Sequence, residues 1–259
     1  MHQNFTFSSI IEKYLDEKGI KAEVINTGVS GFSSAEELLL LENELVKYEP
    51  DYVVLGFYAN DFQDNLKTGL FNLDNENNLV KTSKNAHIPG VKIQNVIYSI
   101  PGVQWLSENS YFYSLLFNNV WNYAKKLLTK KSIEEVMDVA IATKSDFSNY
   151  ERTLASKLIE KTFVTSKKAG AKFILLDIPA IDKNGLEVPS IDQEFFLSIK
   201  DKIDFFVSSD ILMRFRGLNV ILRPHGHRHI TRFTHTIFGV SIGEYIENDT
   251  NSSNTQIQE

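Results

Sequence analysis

Short, β-branched apolar runs alternate with helical patterns along this 259-residue chain, and that alternation restricts the folds open to it. Residues 22–26 (AEVIN), 52–58 (YVVLGFY), 172–178 (KFILLDI) and 219–222 (NVIL) are nearly continuously apolar and bounded by turn signals. That is the pattern of strands buried on both faces of a parallel sheet. Helical stretches lie between them. Residues 8–18 form an opening helix that stops at Gly19. Residues 33–47 begin with Ser33-Ser34 and Glu36-Glu37 in a capping-box arrangement and carry Leu38, Leu41 and Leu45 on one stripe. Residues 147–169 place Leu154, Leu158 and Ile159 on one face before Gly170 ends the helix. Residues 195–216 and 235–247 complete the helical set. The expected architecture is α/β, with helices over a parallel sheet in three layers.

Residues 62–146 interrupt the rhythm. FNLDNENNLV at 71–80 reads as a small hairpin with an Asn-rich turn, 88–106 as an aromatic loop, and 110–128 as an aromatic-rich helix. This stretch is expected to be one long insertion after the 52–58 strand, of the kind that shapes a binding cleft or elaborates a fold. The organisation expected is a single domain over 1–247 carrying that insertion, with a polar, disordered tail at 248–259.

A hydrophobic share of 42% is enough for a sizeable core. The net charge of −6 gives no sign of a nucleic-acid-binding surface, and the lysines are scattered. The absence of cysteine excludes disulfides, thiolate zinc sites and a cysteine nucleophile. No apolar run reaches the roughly 18 residues that would mark a membrane-spanning helix. The opening MHQNFTFSS has neither the charged nor the apolar region of a signal peptide. Compartment and oligomeric state stay open.

Three segments could carry chemistry. NTGVSG at 26–31 follows an expected strand and precedes a capped helix, so a backbone N–H there can donate to a negative oxygen. GFYAND at 56–61 ends a strand, placing Asn60 and Asp61 where ligands bind in open α/β sheets. The Asn60 amide is a neutral donor suited to a developing oxyanion, and Asp61 is expected to tie down its loop. HGHRHITRFTH at 225–235 holds four of the six histidines. In an extended segment His225, His227 and His229 would point the same way, as in a metal site. The segment could equally be a solvated loop, or supply one general base, His229, with His235 opening the closing helix.

Together the three segments resemble the SGNH (GDSL-type) hydrolase superfamily. NTGVSG is similar to its second block, whose final glycine, here Gly31, donates to the oxyanion. GFYAND is similar to its third block, whose asparagine, here Asn60, is the second donor. HITRFTHTIFGVSIGEYI resembles the closing block, with the catalytic base at His229 and a second histidine six residues on at His235. The resemblance implies a flavodoxin-like three-layer fold and a serine ester hydrolase or acyltransferase. Its substrate would be a small acyl ester, an acetylated carbohydrate being one candidate, and no cofactor is implied. Relatives of this kind are often exported or membrane-anchored. Two family features have no match. TFSSIIEKYL at 6–15 corresponds to the helix that follows the Gly-Asp-Ser block, so the first strand and its serine are expected to be missing. Where the family places an aspartate before the histidine, this chain has Gly226 and His227. A catalytically inactive binding relative and a histidine-cluster metal protein are the alternatives. If residues 22–26 lack the first strand as neighbour, they are expected to pair with 52–58 or to dock poorly.

Overall fold

The computed structural model describes residues 3–29, 31–82, 144–182, 184–222 and 229–257, which form a mixed α/β fold containing a parallel sheet. Contacts divide the chain into two compact units. One comprises Met1–Val29, Leu45–Ala59 and Thr162–Glu259, the other Ser30–Glu44 and Asn60–Lys161.

The first unit holds a three-stranded parallel sheet. Its strands are β1 (Tyr52–Phe57), β4 (Lys172–Asp177) and β7 (Phe205–Val207), with β4 in the centre; β5 (Ala180–Ile181) and β6 (Glu187–Val188) form a separate antiparallel pair. β1 runs beside β4 from Tyr52↔Lys172 to Phe57↔Asp177, and β4 beside β7 from Ile174↔Phe205 to Leu176↔Val207. The period-2 alternation of side chains sorts these residues onto two faces. Tyr52, Val54, Ile174, Leu176, Phe205 and Val207 pack with α1 (Phe7–Glu17) and α6 (Arg232–Ile257). The intervening positions meet helices on the other face. Phe57 stacks on Phe195 of α5 (Gln193–Ile199), Phe206 on Phe196 of the same helix, and Phe173 meets Phe163 near the end of α4 (Lys144–Lys168) edge-on. Helices on both sides of a parallel sheet match the layered arrangement expected from the sequence.

α1 and α6 approach closely because α6 has glycine where the two helices meet. A Cβ on Gly239 would lie 2.6 Å from Ile10 Cγ2 and 3.0 Å from the Phe7 carbonyl oxygen; one on Gly243 would lie 2.6 Å from Tyr14 Cδ1.

The second unit contains α2 (Ser34–Asn43), α3 (Asp61–Thr68), the hairpin β2 (Phe71–Leu73) and β3 (Leu79–Lys81), and the first part of α4. Ala35, Leu38, Leu39, Leu66, Leu70, Phe71, Leu154 and Leu158 form its core. The hairpin expected at 71–80 is present. Asp74 shapes its turn by accepting from the Glu76 and Asn78 N–H groups. The remainder of the expected insertion, including 88–106 and 110–128, falls outside the described residues.

Several expectations need correction. Residues 22–26 form no strand: Val24 packs on the core, but Ile25 is 51% exposed, and β1 pairs with β4 instead. That is the poorly docked outcome. The helix expected at 195–216 is α5, a short 3₁₀ turn, strand β7 and a further 3₁₀ segment, Ser209–Phe215. The β-favouring Phe205-Phe206-Val207 run meets an open ladder edge on β4, and Asp204 secures it by accepting from the Phe173 N–H at 2.7 Å. Residues 219–222 were expected to be a buried parallel strand; they contribute only an isolated antiparallel bridge, Leu222↔Ile230. α6 runs through Ile257, past residue 247 where the disordered tail was expected to begin. Asp249 accepts from Tyr52 Oη at 2.6 Å and pairs with Lys172, and the Thr250 and Ser252 hydroxyls bond carbonyls one turn back. These contacts carry a polar segment on as helix.

Candidate functional site

Gly31 lies three residues before α2, with φ of +86°, a left-handed conformation in which a side chain would be strained. α2 itself starts at a cap where the Ser33 N–H donates to Glu36 Oε2 at 2.8 Å. Asn60 caps α3, whose chain arrives directly from the carboxyl end of β1. Its side chain is exposed, and Nδ2 donates to Asp64 Oδ2 at 2.6 Å. A primary amide carries two N–H groups, so this contact leaves a second donor on the same nitrogen. Gly31 and Asn60 therefore stand at the start of two helices of the second unit.

Those helix starts are joined by a buried polar seam. Asn65, one turn into α3, accepts from the Ala35 N–H in the first turn of α2 at 2.9 Å. Asp61 and Asn65 share a face of α3, and Ser34 and Glu37 share a face of α2, by i,i+4 and i,i+3 spacing. Ser34, Asp61 and Asn65 are buried. Ser34 Oγ, Glu37 Oε2 and Asn65 Nδ2 are buried atoms with no hydrogen-bond partner. Such groups cost about 1–3 kcal/mol each. Burial raises the Glu37 carboxyl to about 8, and the charges of Asp61 and then Glu36 push in the same direction. Glu37 therefore holds its proton well above the ordinary carboxylate range.

His229 belongs to the first unit and is exposed. The chain around it is fixed by the Leu222↔Ile230 bridge and by the Thr231 N–H donating to the Ile221 carbonyl at 2.9 Å. Thr231 then caps α6, accepting from the Thr234 N–H on its hydroxyl and the His235 N–H on its carbonyl. His225 and His227 fall outside the described residues. Among the described residues, no group of three or more His, Cys, Asp or Glu side chains could hold a metal ion.

His235 has a structural task that its sequence spacing did not reveal. Its Nδ1 accepts from the Phe7 N–H at 3.1 Å, and its ring stacks on Phe7 with centroids 5.8 Å apart. An accepting Nδ1 leaves the proton of the neutral ring on Nε2.

Asp177 was also missed. It ends the central strand, fully buried, and accepts from the Ser190 and Ile191 N–H groups on Oδ1 and from the Ser209 N–H and hydroxyl on Oδ2. Burial raises its carboxyl to about 6, against those four hydrogen bonds, which lower it. Ser190 extends the network: its hydroxyl donates to the Ile178 carbonyl and accepts from the Ala59 N–H at 2.9 Å. Asp177 and Ser190 thus fix the last residue before Asn60.

Comparison with protein-family models, curated proteins and solved structures returned no match. No helix among the described residues is long and apolar enough to cross a membrane.

Proposed function

We propose that the chain is an SGNH-type serine ester hydrolase or acyltransferase acting on a small acyl ester, with an acetylated carbohydrate as one candidate substrate. The carrying observation is the pairing within one unit of a left-handed glycine and an asparagine at the starts of two helices bonded to each other through Asn65 and Ala35. Helix starts present unpaired N–H groups and a positive dipole end, the features that favour a developing oxyanion. In the resembled family a serine hydroxyl from a Gly-Asp-Ser block, which has no match in this sequence, attacks the ester carbonyl, and in this reading His229 is the base that takes its proton. The Gly31 N–H and Asn60 amide receive the charge on the tetrahedral oxygen, His229 returns the proton to the leaving alcohol, and water, or an acceptor hydroxyl in a transferase, then attacks the acyl-serine to release the acyl group.

A second reading, a catalytically inactive binding relative, is favoured by the state of the two serines at the start of α1. Ser8 Oγ lies 2.9 Å from the Thr6 hydroxyl, and Ser9 contacts the same hydroxyl through both its N–H and its Oγ, so both belong to the cap of α1. Hydrolysis of p-nitrophenyl acetate by the purified chain and by His229→Ala separates the two. Hydrolysis by the wild type, reduced about 10²-fold or more in the variant, supports the enzyme. Equal slow rates remove His229 from any catalytic role.

A further inference from the structure

The seam between α2 and α3 is placed to control the geometry of the candidate oxyanion donors. Gly31 is joined to the first turn of α2 by two residues, Phe32 and Ser33, and Asn60 directly precedes α3. The Asn65–Ala35 hydrogen bond is buried, and it ties the first turn of one helix to the second turn of the other. Beside it Glu37 presents a buried, unpartnered carboxyl oxygen towards a region where Asp61 already contributes charge. We propose, on the reading of Gly31 and Asn60 as an oxyanion pair, that Asn65 and Glu37 are positioning residues that set the spacing of that pair, and that Glu37 does so only as a neutral acid.

The physical reason is electrostatic. A neutral Glu37 lets α2 and α3 close over the seam. An ionised Glu37 faces Asp61 from α3 and Glu36 from its own helix, both negative, and Oε2 has no donor to receive the charge. Like charges in a poorly solvated site repel strongly, and the cheapest relief is for the helix starts to separate and admit water. Separation moves Gly31 relative to Asn60. In the same unit the charge of Lys67 on α3 acts on Glu151 of α4.

Carbon-detected NMR of the full chain, following the Gly31 carbonyl and the Asn60 side-chain carbonyl from pH 6 to 10, tests this without relying on turnover. Both resonances are expected to shift together with a midpoint near 8, the value burial gives Glu37. Glu37→Gln, which keeps the shape of the neutral acid, is expected to abolish the step. Asp61→Asn, which removes the opposing charge, is expected to move it to lower pH and provides the control should the glutamine variant fail to fold. No step in the wild type, or the same step in Glu37→Gln, overturns the proposal. Hydrolysis of p-nitrophenyl acetate over the same range gives a separate reading. A rate that falls through the same midpoint in the wild type but not in Glu37→Gln supports both ideas. An NMR step in a chain that hydrolyses nothing sustains the seam and defeats the hydrolase. A rate without the step does the reverse.

Discussion

Asn60 is engaged with Asp64 on the protein surface, and the proposed role as an oxyanion donor rests on the second N–H of the same amide. Asn60→Ala is expected to lower kcat for p-nitrophenyl acetate by about 10²-fold, with KM little changed, because the oxyanion exists only after attack. A change confined to KM would assign Asn60 to substrate binding instead. Asp177 sets a different test. Its carboxyl titrates higher in the folded chain than in the unfolded one, rising from 3.8 to about 6. The folded state therefore holds a proton that the unfolded state has released, and up to about 3 kcal/mol of stability is lost as pH rises from about 4 to about 6. Asp177→Asn is expected to flatten the urea-unfolding free energy across that window. It is also expected to lower stability at pH 7 by about 2–4 kcal/mol, since an amide nitrogen cannot accept from Ser209. An unchanged slope in the variant would mean that Asp177 is not the titrating group. The placing of Gly31 and Asn60 just ahead of helices was legible in the sequence because each follows an apolar run and precedes a helix signal. Glu37 and Asp177 were not, because an ordinary carboxylate becomes unusual only when tertiary packing buries it.

At the level of elements, the α1–α6 pair shows how small residues specify a contact. Along α6, His235, Gly239, Gly243 and Glu247 recur every four residues and meet Phe7, Ile10, Tyr14 and then both Tyr14 and Lys18 on the α1 side. Replacing either glycine by alanine gains about 1 kcal/mol of helix propensity. The added methyl forces the two backbones apart, at about 1–3 kcal/mol. Overpacking is expected to win at Gly239, where the Phe7 carbonyl is backbone and cannot rotate away. Gly239→Ala should therefore lower Tm by several degrees; a raised Tm would show that the helices separate freely. Both helices were legible from their periodicity, α6 with its end misplaced. The strands were harder to read. AEVIN and NVIL have the composition of strands but find no parallel ladder partner, whereas Phe205–Val207 lay hidden in an apparently helical stretch and became a strand because β4 offered an edge. Ladder pairing depends on a neighbour distant in sequence, which local pattern does not contain.

For the molecule as a whole, Glu37 and Asp177 act in the same direction. Both carboxyls are raised by folding, so both bind protons more tightly in the native state, and stability falls as pH rises through about 4–8. Wild-type Tm is expected to be higher at pH 5 than at pH 8.5, and the double variant Glu37→Gln, Asp177→Asn is expected to lose most of that difference. An equal difference in the double variant would place the titrating groups elsewhere. The α/β class was readable from the alternation of apolar runs and helices. The division into two units was not, because it depends on which helices share a core. The proposed activity needs His229 to act with Gly31 and Asn60. The absence of cysteine makes this directly measurable, since His229→Cys provides a single attachment point for a nitroxide. Paramagnetic broadening of the Gly31 and Asn60 resonances, with Gly170 unaffected, is the result expected of a shared catalytic site. Unbroadened Gly31 and Asn60 signals in the folded, labelled chain would contradict it.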